Sequence, residues 1–177
     1  MHIALIRHLP TDWNKKTWLQ GRRDIEISEV SEKFRNEISH NQQLLKAIEP
    51  FDLVLVSTLK RTHQTAEQYG YVAKTEGLLD ELDFGPYEGK PKEELFRSYG
   101  DKWVENPKEL ILGESVTSLE KRIVQFIKKY EQKDKILVFG HGSWIRAMVS
   151  YYQYGHINNM NKMTVGNNEC IILPFNN

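Results

Sequence analysis

Ile3-Ala4-Leu5-Ile6-Arg7-His8 is the stretch on which the fold turns: four consecutive apolar residues that end abruptly in a cation and an imidazole. A continuous apolar run, without the alternation of a half-exposed strand, fits a strand buried on both faces, as in a parallel sheet covered by helices. Leu53-Val54-Leu55-Val56 and Ile136-Leu137-Val138-Phe139 repeat the form, and each is followed by a polar or glycine-containing turn and a helix-like stretch. This rhythm predicts one α/β domain over residues 1–177, with three layers (α/β/α) around a mostly parallel central sheet. Helices are expected over residues 28–48, 60–69, 92–99, 118–131 and 143–152. In the fourth, Leu119, Ile123, Phe126, Ile127 and Tyr130 recur at helical spacing, the pattern of an amphipathic cover helix. Residues 164–165 and 170–173 read as short strands around the turn Gly166-Asn167-Asn168, paired at a sheet edge.

The 177 residues, 40% hydrophobic and 27% charged, suffice for one buried core and are short for two. Repeats and linker-like tracts are absent from the sequence. The 24 basic and 24 acidic side chains cancel, which argues against a nucleic-acid partner or an anionic membrane surface. The balance conceals a segregation: residues 76–120 carry 5 basic and 12 acidic side chains, against 11 and 9 before them and 8 and 3 after. Cys170 stands alone, so it forms no internal disulfide, and a reducing compartment is expected. No apolar run approaches a signal-peptide core or a membrane span of ~20 residues, and a cytoplasmic monomer or homodimer is expected. The six histidines lack His-Glu-x-x-His spacing, and no metal is expected. Gly85–Lys90 is one residue short of a nucleotide-binding phosphate loop and is followed by Pro91 rather than Ser or Thr.

In open α/β sheets, ligands bind beyond the carboxyl ends of the strands. The first run is followed by Arg7-His8-Leu9-Pro10-Thr11-Asp12-Trp13-Asn14, the second by Ser57-Thr58-Leu59-Lys60-Arg61-Thr62, and the third by Gly140-His141-Gly142-Ser143. A parallel arrangement brings two histidines and two arginines to one edge. The planar fork of arginine matches phosphate oxygens, a helix N-terminus adds oriented N–H donors, and a neutral imidazole is a competent phosphoryl acceptor. The combination predicts an anion site containing a nucleophile.

These segments carry a resemblance to the histidine phosphatase superfamily, which includes the phosphoglycerate mutases and many small phosphomonoesterases. Leu5-Ile6-Arg7-His8 with Thr11, Trp13 and Asn14 resembles its opening block, continued by Gln20-Gly21 and Asp24. Ser57-Thr58, Arg61-Thr62 and Gln64-Thr65-Ala66 resemble the second block, Leu79 to Gly89 the third, and Val138 to Gly142 with Ile145-Arg146 the fourth. The resemblance implies a phosphoglycerate mutase-like fold and a metal-independent, cofactor-free phosphatase acting on a small phosphorylated metabolite. It casts His8 as the residue that becomes phosphohistidine, Arg7, Arg61 and His141 as holders of the phosphoryl group with Asn14 a weaker contributor, and Glu81 as general acid and base. Asp80 and Asp83 are rivals to Glu81 that only the motif register separates. Gln20, Gly21, Gly142 and Trp144 are expected at the substrate, with Trp18, Phe84 and Tyr87 as further candidates for an apolar pocket wall. Small members acting on α-ribazole 5′-phosphate are similar; sugar phosphates, phosphoglycerate and phosphoserine are open alternatives. Mutase-type transfer and a non-catalytic phospholigand-binding domain are the alternative functions.

Two departures stand out. Leu9-Pro10 replaces the usual glycine after the nucleophile, which implies a stiffer loop, and Ser31 stands where a helix-start glycine is common. Arg146 reads as a structural ion-pair partner, and His40, His63 and His156 as exposed positions without a role. The acidic segment is expected to supply Glu81 and a rim that repels a second phosphate.

Overall fold

In the computed structural model, which describes residues 1–175, the three apolar runs become β1 (His2–Arg7), β2 (Leu53–Val56) and, after the short β3 (Lys74–Thr75), β4 (Lys135–Gly140). They form a five-stranded sheet with β5 (Cys170–Pro174), in the order β3-β2-β4-β1-β5. All neighbouring pairs are parallel except β1 and β5. The register sets Ile6 and Val56 each opposite Phe139, so the chain leaves β1, β2 and β4 at the same level. His8, Thr58 and His141 then follow two residues beyond that row.

Alternating strand residues feed two cores. Ile3, Leu5, Leu55, Ile136 and Val138 pack with residues of α6 (Val116–Tyr130) and α7 (Gly142–Tyr154). Ala4, Ile6, Val56, Leu137 and Phe139 pack with Ile38 and Leu45 of α2 (Glu32–Lys46) and Ala66 of α3 (Lys60–Gln68). The expected three-layer architecture is therefore present, with both sheet faces buried. Three shorter helices, α1 (Asp12–Lys15), α4 (Lys92–Tyr99) and α5 (Asp101–Glu105), lie in the connections. Among the described residues, no helix is long and apolar enough to cross a membrane.

Local chemistry moves several boundaries. α2 starts at Glu32 because the Ser31 hydroxyl accepts from the Phe34 N–H as its N-cap, which accounts for serine at that position. Ser115 caps α6 in the same way, placing its start before residue 118. Residues 164–165 do not form the expected strand. The Val165 carbonyl instead accepts from Arg7 Nη1 at 2.6 Å, so this backbone serves a side chain and only β5 pairs with β1. β3 and α5 leave no mark in the sequence pattern, since two exposed residues and five residues respectively carry too little periodicity.

Candidate active site

His8 sits one residue beyond β1 and is almost completely buried. Its backbone N–H donates to Gly140 O at 2.9 Å, which extends the β1–β4 ladder by one bond. Its ring Nδ1 lies 2.7 Å from the Leu9 carbonyl, and because a carbonyl only accepts, the proton resides on Nδ1 and Nε2 carries a free lone pair. Leu9, in the place of a glycine, anchors this loop by burying its side chain in the same core cluster as Ile6 and Phe139 and donating its N–H to Thr65 Oγ1 at 2.9 Å. The His8 ring is held well below its ordinary pKa, first by burial and then by the charges of Arg61 and Arg7.

Three groups converge on this imidazole. Arg61, in the first turn of α3, is buried and donates to Arg23 O at 2.6 Å and Gly21 O at 2.7 Å. Its pKa falls to about 10 through burial, so it remains charged at neutral pH. Gly21 turns toward it at φ +53°, a left-handed conformation that favours glycine, and a Cβ there would also press on the Glu88 carboxylate. Arg7 reaches under the Val165 carbonyl. His141, the residue before α7, places its ring centroid 5.4 Å from that of His8. Among the described residues, Arg7 Nε, Arg61 Nε and His141 Nδ1 are buried without any protein partner. Such groups cost free energy unless a ligand or water meets them, and their clustering marks an anion pocket.

Glu81 completes the ring of chemistry from the segment after a short 3-10 turn at Gly77–Leu79. Its carboxylate accepts from Ser143 N at 3.0 Å, Trp144 N at 3.1 Å and Leu82 N at 2.8 Å. It thus caps α7, which has no side-chain cap of its own. Of the three rival carboxylates, only Glu81 lines the cavity. Asp80 instead binds the Thr58 N–H and hydroxyl, both at 2.8 Å, and Asp83 accepts from Gly85 N at 2.8 Å.

Arg7, His8, Arg61 and Glu81 open onto a cavity of about 310 Å³, also lined by Asn14, Trp18, Gln20, Gly21, Phe84, Gly142, Arg146 and Lys92, while His141 is fully buried beside the His8 ring. Gln20 Oε1 accepts from Thr11 Oγ1 at 2.9 Å, and Asn14 Oδ1 accepts from Thr11 N at 3.0 Å, which orients both carboxamides. A family model, that of the histidine phosphatase superfamily (branch 1), matches residues 3–177. The chain belongs to this superfamily. It is 30% identical to an uncharacterized phosphatase, PhoE, of Bacillus subtilis over 84% of this chain and 75% of that one. It is 28% identical to phosphoserine phosphatase 1 of Hydrogenobacter thermophilus over 82% and 73% respectively. The α-ribazole phosphatase of Shigella flexneri superposes with a TM-score of 0.78 at 21% identity, covering 99% of this chain and 91% of that one, a likeness of fold. Phosphatase-type phosphoryl chemistry is therefore the class of this histidine phosphatase.

Two of the residues expected at the substrate lie elsewhere in this histidine phosphatase. Trp144 is fully buried; its indole packs edge-on to Phe126 and donates to Leu78 O at 2.8 Å, so it belongs to the core and not to the cavity. Tyr87 pairs with Tyr99 and does not line the cavity either. Conversely, Arg146 forms no ion pair among the described residues. Its Nη2 reaches Ser143 Oγ and Asn161 Oδ1, each at 3.2 Å, and a Cβ added at Gly142 would lie 3.2 Å from Arg7 Nε and 3.3 Å from Arg146 Nη1. The two guanidiniums therefore flank the glycine backbone at the cavity wall. Burial lowers Arg146 to about 10. Lys92, at the start of α4, is depressed by burial and by the charges of Arg7 and Arg146. His63 is half-buried rather than exposed and bonds the Ser57 carbonyl at 2.7 Å, while His156 is half-buried and His40 exposed. The cavity wall thus carries four cations, Arg7, Arg61, Lys92 and Arg146, against one carboxylate, Glu81. Among the described residues that line the cavity, the acidic segment contributes one carboxylate, Glu81, and one cation, Lys92.

Proposed function

We propose that this protein hydrolyses a small phosphomonoester that carries a second acidic group, through a phosphohistidine on His8. The observation that carries the reading is the set of unpaired buried Arg7 Nε, Arg61 Nε and His141 Nδ1 around an imidazole whose Nε2 is free. His8 Nε2 attacks phosphorus in line while the ester oxygen departs. Arg7, Arg61 and His141 then face the equatorial oxygens as charge spreads over them, with Asn14 and the Gly142 backbone beside them. Glu81 delivers a proton to the leaving oxygen, then takes one from the water that opens the phosphohistidine, so one carboxyl serves both halves. Protein cations neutralise the phosphoryl charge, so the reading invokes no metal.

Arg146 and Lys92 support the second acidic group, because among the described residues neither ion-pairs with a carboxylate and both line the cavity beside the phosphate cluster. The phosphoserine phosphatase relative supports the same substrate class. Matched pairs of esters test this: 3-phosphoglycerate against glycerol 3-phosphate, and phosphoserine against phosphoethanolamine. The acid of each pair should be the better substrate. Arg146→Ala or Lys92→Ala should lower kcat/KM for the acids about tenfold, the scale of one hydrogen bond to a charged group, with p-nitrophenyl phosphate within about twofold. Equal rates on acid and neutral esters would overturn the assignment. The same two cations favour mutase-type transfer as a second reading; it would be adopted if label from 2,3-bisphosphoglycerate passed through His8 to 3-phosphoglycerate without phosphate release.

A further inference from the structure

The hydrogen bonds behind His141 can be followed to their end. Its Nε2 lies 2.7 Å from Ser57 Oγ, which lies 3.0 Å from Thr62 Oγ1, which in turn lies 2.9 Å from the Leu59 carbonyl. A carbonyl only accepts, so the single Thr62 hydroxyl proton is spent on Leu59 O. The Ser57–Thr62 bond must then use the Ser57 proton. Ser57 Oγ already accepts from Leu59 N–H at 3.1 Å, and its remaining lone pair can only receive a proton from His141 Nε2. The opposite polarity would set the Thr62 and Leu59 oxygens 2.9 Å apart with no proton between them. We infer that Ser57 and Thr62 lock His141 as the Nε2–H tautomer, so that Nδ1 meets the phosphate as a bare lone pair and the phosphate is bound together with one proton.

The inference rests on the phosphate-site reading proposed above. Nδ1 is buried and has no protein partner. Burial, followed by the charges of Arg61, His8, Arg7 and Arg22, keeps the ring neutral in the free protein. The other charged groups of the neighbouring cavity wall are Glu81, whose carboxylate accepts backbone N–H groups at the N-terminus of α7, Lys92 on α4, and Arg146 on α7 itself. His8 cannot supply the proton, because its only N–H is committed to Leu9 O. A phosphate oxygen therefore reaches Nδ1 either as the P–OH of a monoanion, which donates to the lone pair, or as a dianion accompanied by a solvent proton that makes the imidazolium. The bookkeeping is the same in both cases: one proton more than the dianion. Ser57 and Thr62 are positioning residues, since they act only through His141.

Imidazole nitrogen NMR of the ligand-free protein should show His141 with a protonated Nε2 and an unprotonated Nδ1. Calorimetric titration with inorganic phosphate at pH 8, in two buffers of different ionisation heat, should show uptake of about one proton, and the Kd should rise about tenfold per pH unit above the second phosphate pKa. Thr62→Val removes the acceptor for Ser57, whose hydroxyl then turns to His141 Nε2. This variant should show the Nδ1–H tautomer and bind phosphate at pH 8 without proton uptake. An Nδ1–H tautomer in the unmodified protein, or phosphate binding without proton uptake, would overturn the inference. Failure to bind phosphate at all would instead sink the phosphatase reading, while the tautomer measurement still decides this one. Should the valine variant fail to fold, the two measurements on the unmodified protein remain decisive.

Discussion

His8 and Glu81 divide the chemistry between a residue whose reactive atom is free and one whose atoms are mostly engaged. The Nδ1–H to Leu9 O bond fixes which nitrogen attacks, so His8→Ala should abolish both turnover and acid-labile phosphate labelling of the protein. A carboxylate offers about four acceptor sites. Three of those on Glu81 are taken by the backbone N–H groups of Leu82, Ser143 and Trp144, which leaves one for the proton. Glu81→Gln should therefore slow turnover by about 10²–10⁴-fold, the usual share of general acid–base catalysis, while phosphate label on His8 still accumulates. Rapid chemical quench with a labelled ester separates the two steps; unchanged turnover in the glutamine variant would remove Glu81 from the reaction.

The α7 helix shows why proximity to a motif misleads. Gly142 and Ser143 line the cavity, and Arg146, three residues on, returns to the same face. Trp144, Ile145, Ala147 and Met148 face the core, as a turn of about 100° per residue requires. The sequence places Trp144 two residues from Gly142 and cannot say which way its side chain points until the helix is docked. The same rotation carries Arg146 into the site. Trp144 also ties α7 to the Gly77–Leu79 turn that precedes Glu81. Trp144→Ala should accordingly cost about 3–5 kcal/mol in urea unfolding, the range for large aromatic truncations, and shift KM equally for p-nitrophenyl phosphate and larger esters. A rise in KM confined to the larger esters would restore it to the pocket.

For the molecule as a whole, a net charge of zero coexists with a cavity in which cations outnumber carboxylates four to one. The unlike segments are separate in sequence but not in space: Lys92 comes from the acidic stretch yet faces the arginines, while Asp80 and Asp83 turn to backbone and hydroxyl donors. Burial, seconded by this concentration of positive charge, keeps His8 and His141 neutral. Both folded-state values lie below those of the unfolded chain, so unfolding takes up protons once pH falls below about 6.5. Stability should be flat above that point and decline below it, by up to about 2.7 kcal/mol per pH unit if both histidines titrate on unfolding. Denaturant melts between pH 5 and 8 measure this, and a His8→Asn variant should show about half the slope. A slope unchanged in that variant would mean that other groups govern the acid limb.

Three unbroken apolar runs, each ending in charged or glycine-bearing residues, were by themselves enough to specify a covered parallel sheet with chemistry at one edge. The reason is that strand burial and strand-end function both follow from local sequence order. Ser31 as a cap and Leu9 as an anchor for the His8 loop are also local in their causes, yet their purpose shows only beside Phe34 and Thr65. The tertiary structure alone decided the direction of each helical side chain, the emergence of Arg146 and Lys92 as cavity cations, and the use of residues 164–165 as a bracket for Arg7 instead of a strand. It also joined Ser57, Thr62 and His141 in one directional chain from positions that span 84 residues. These features depend on distances between groups far apart in sequence, and such distances exist only after the sheet register and helix docking have set them.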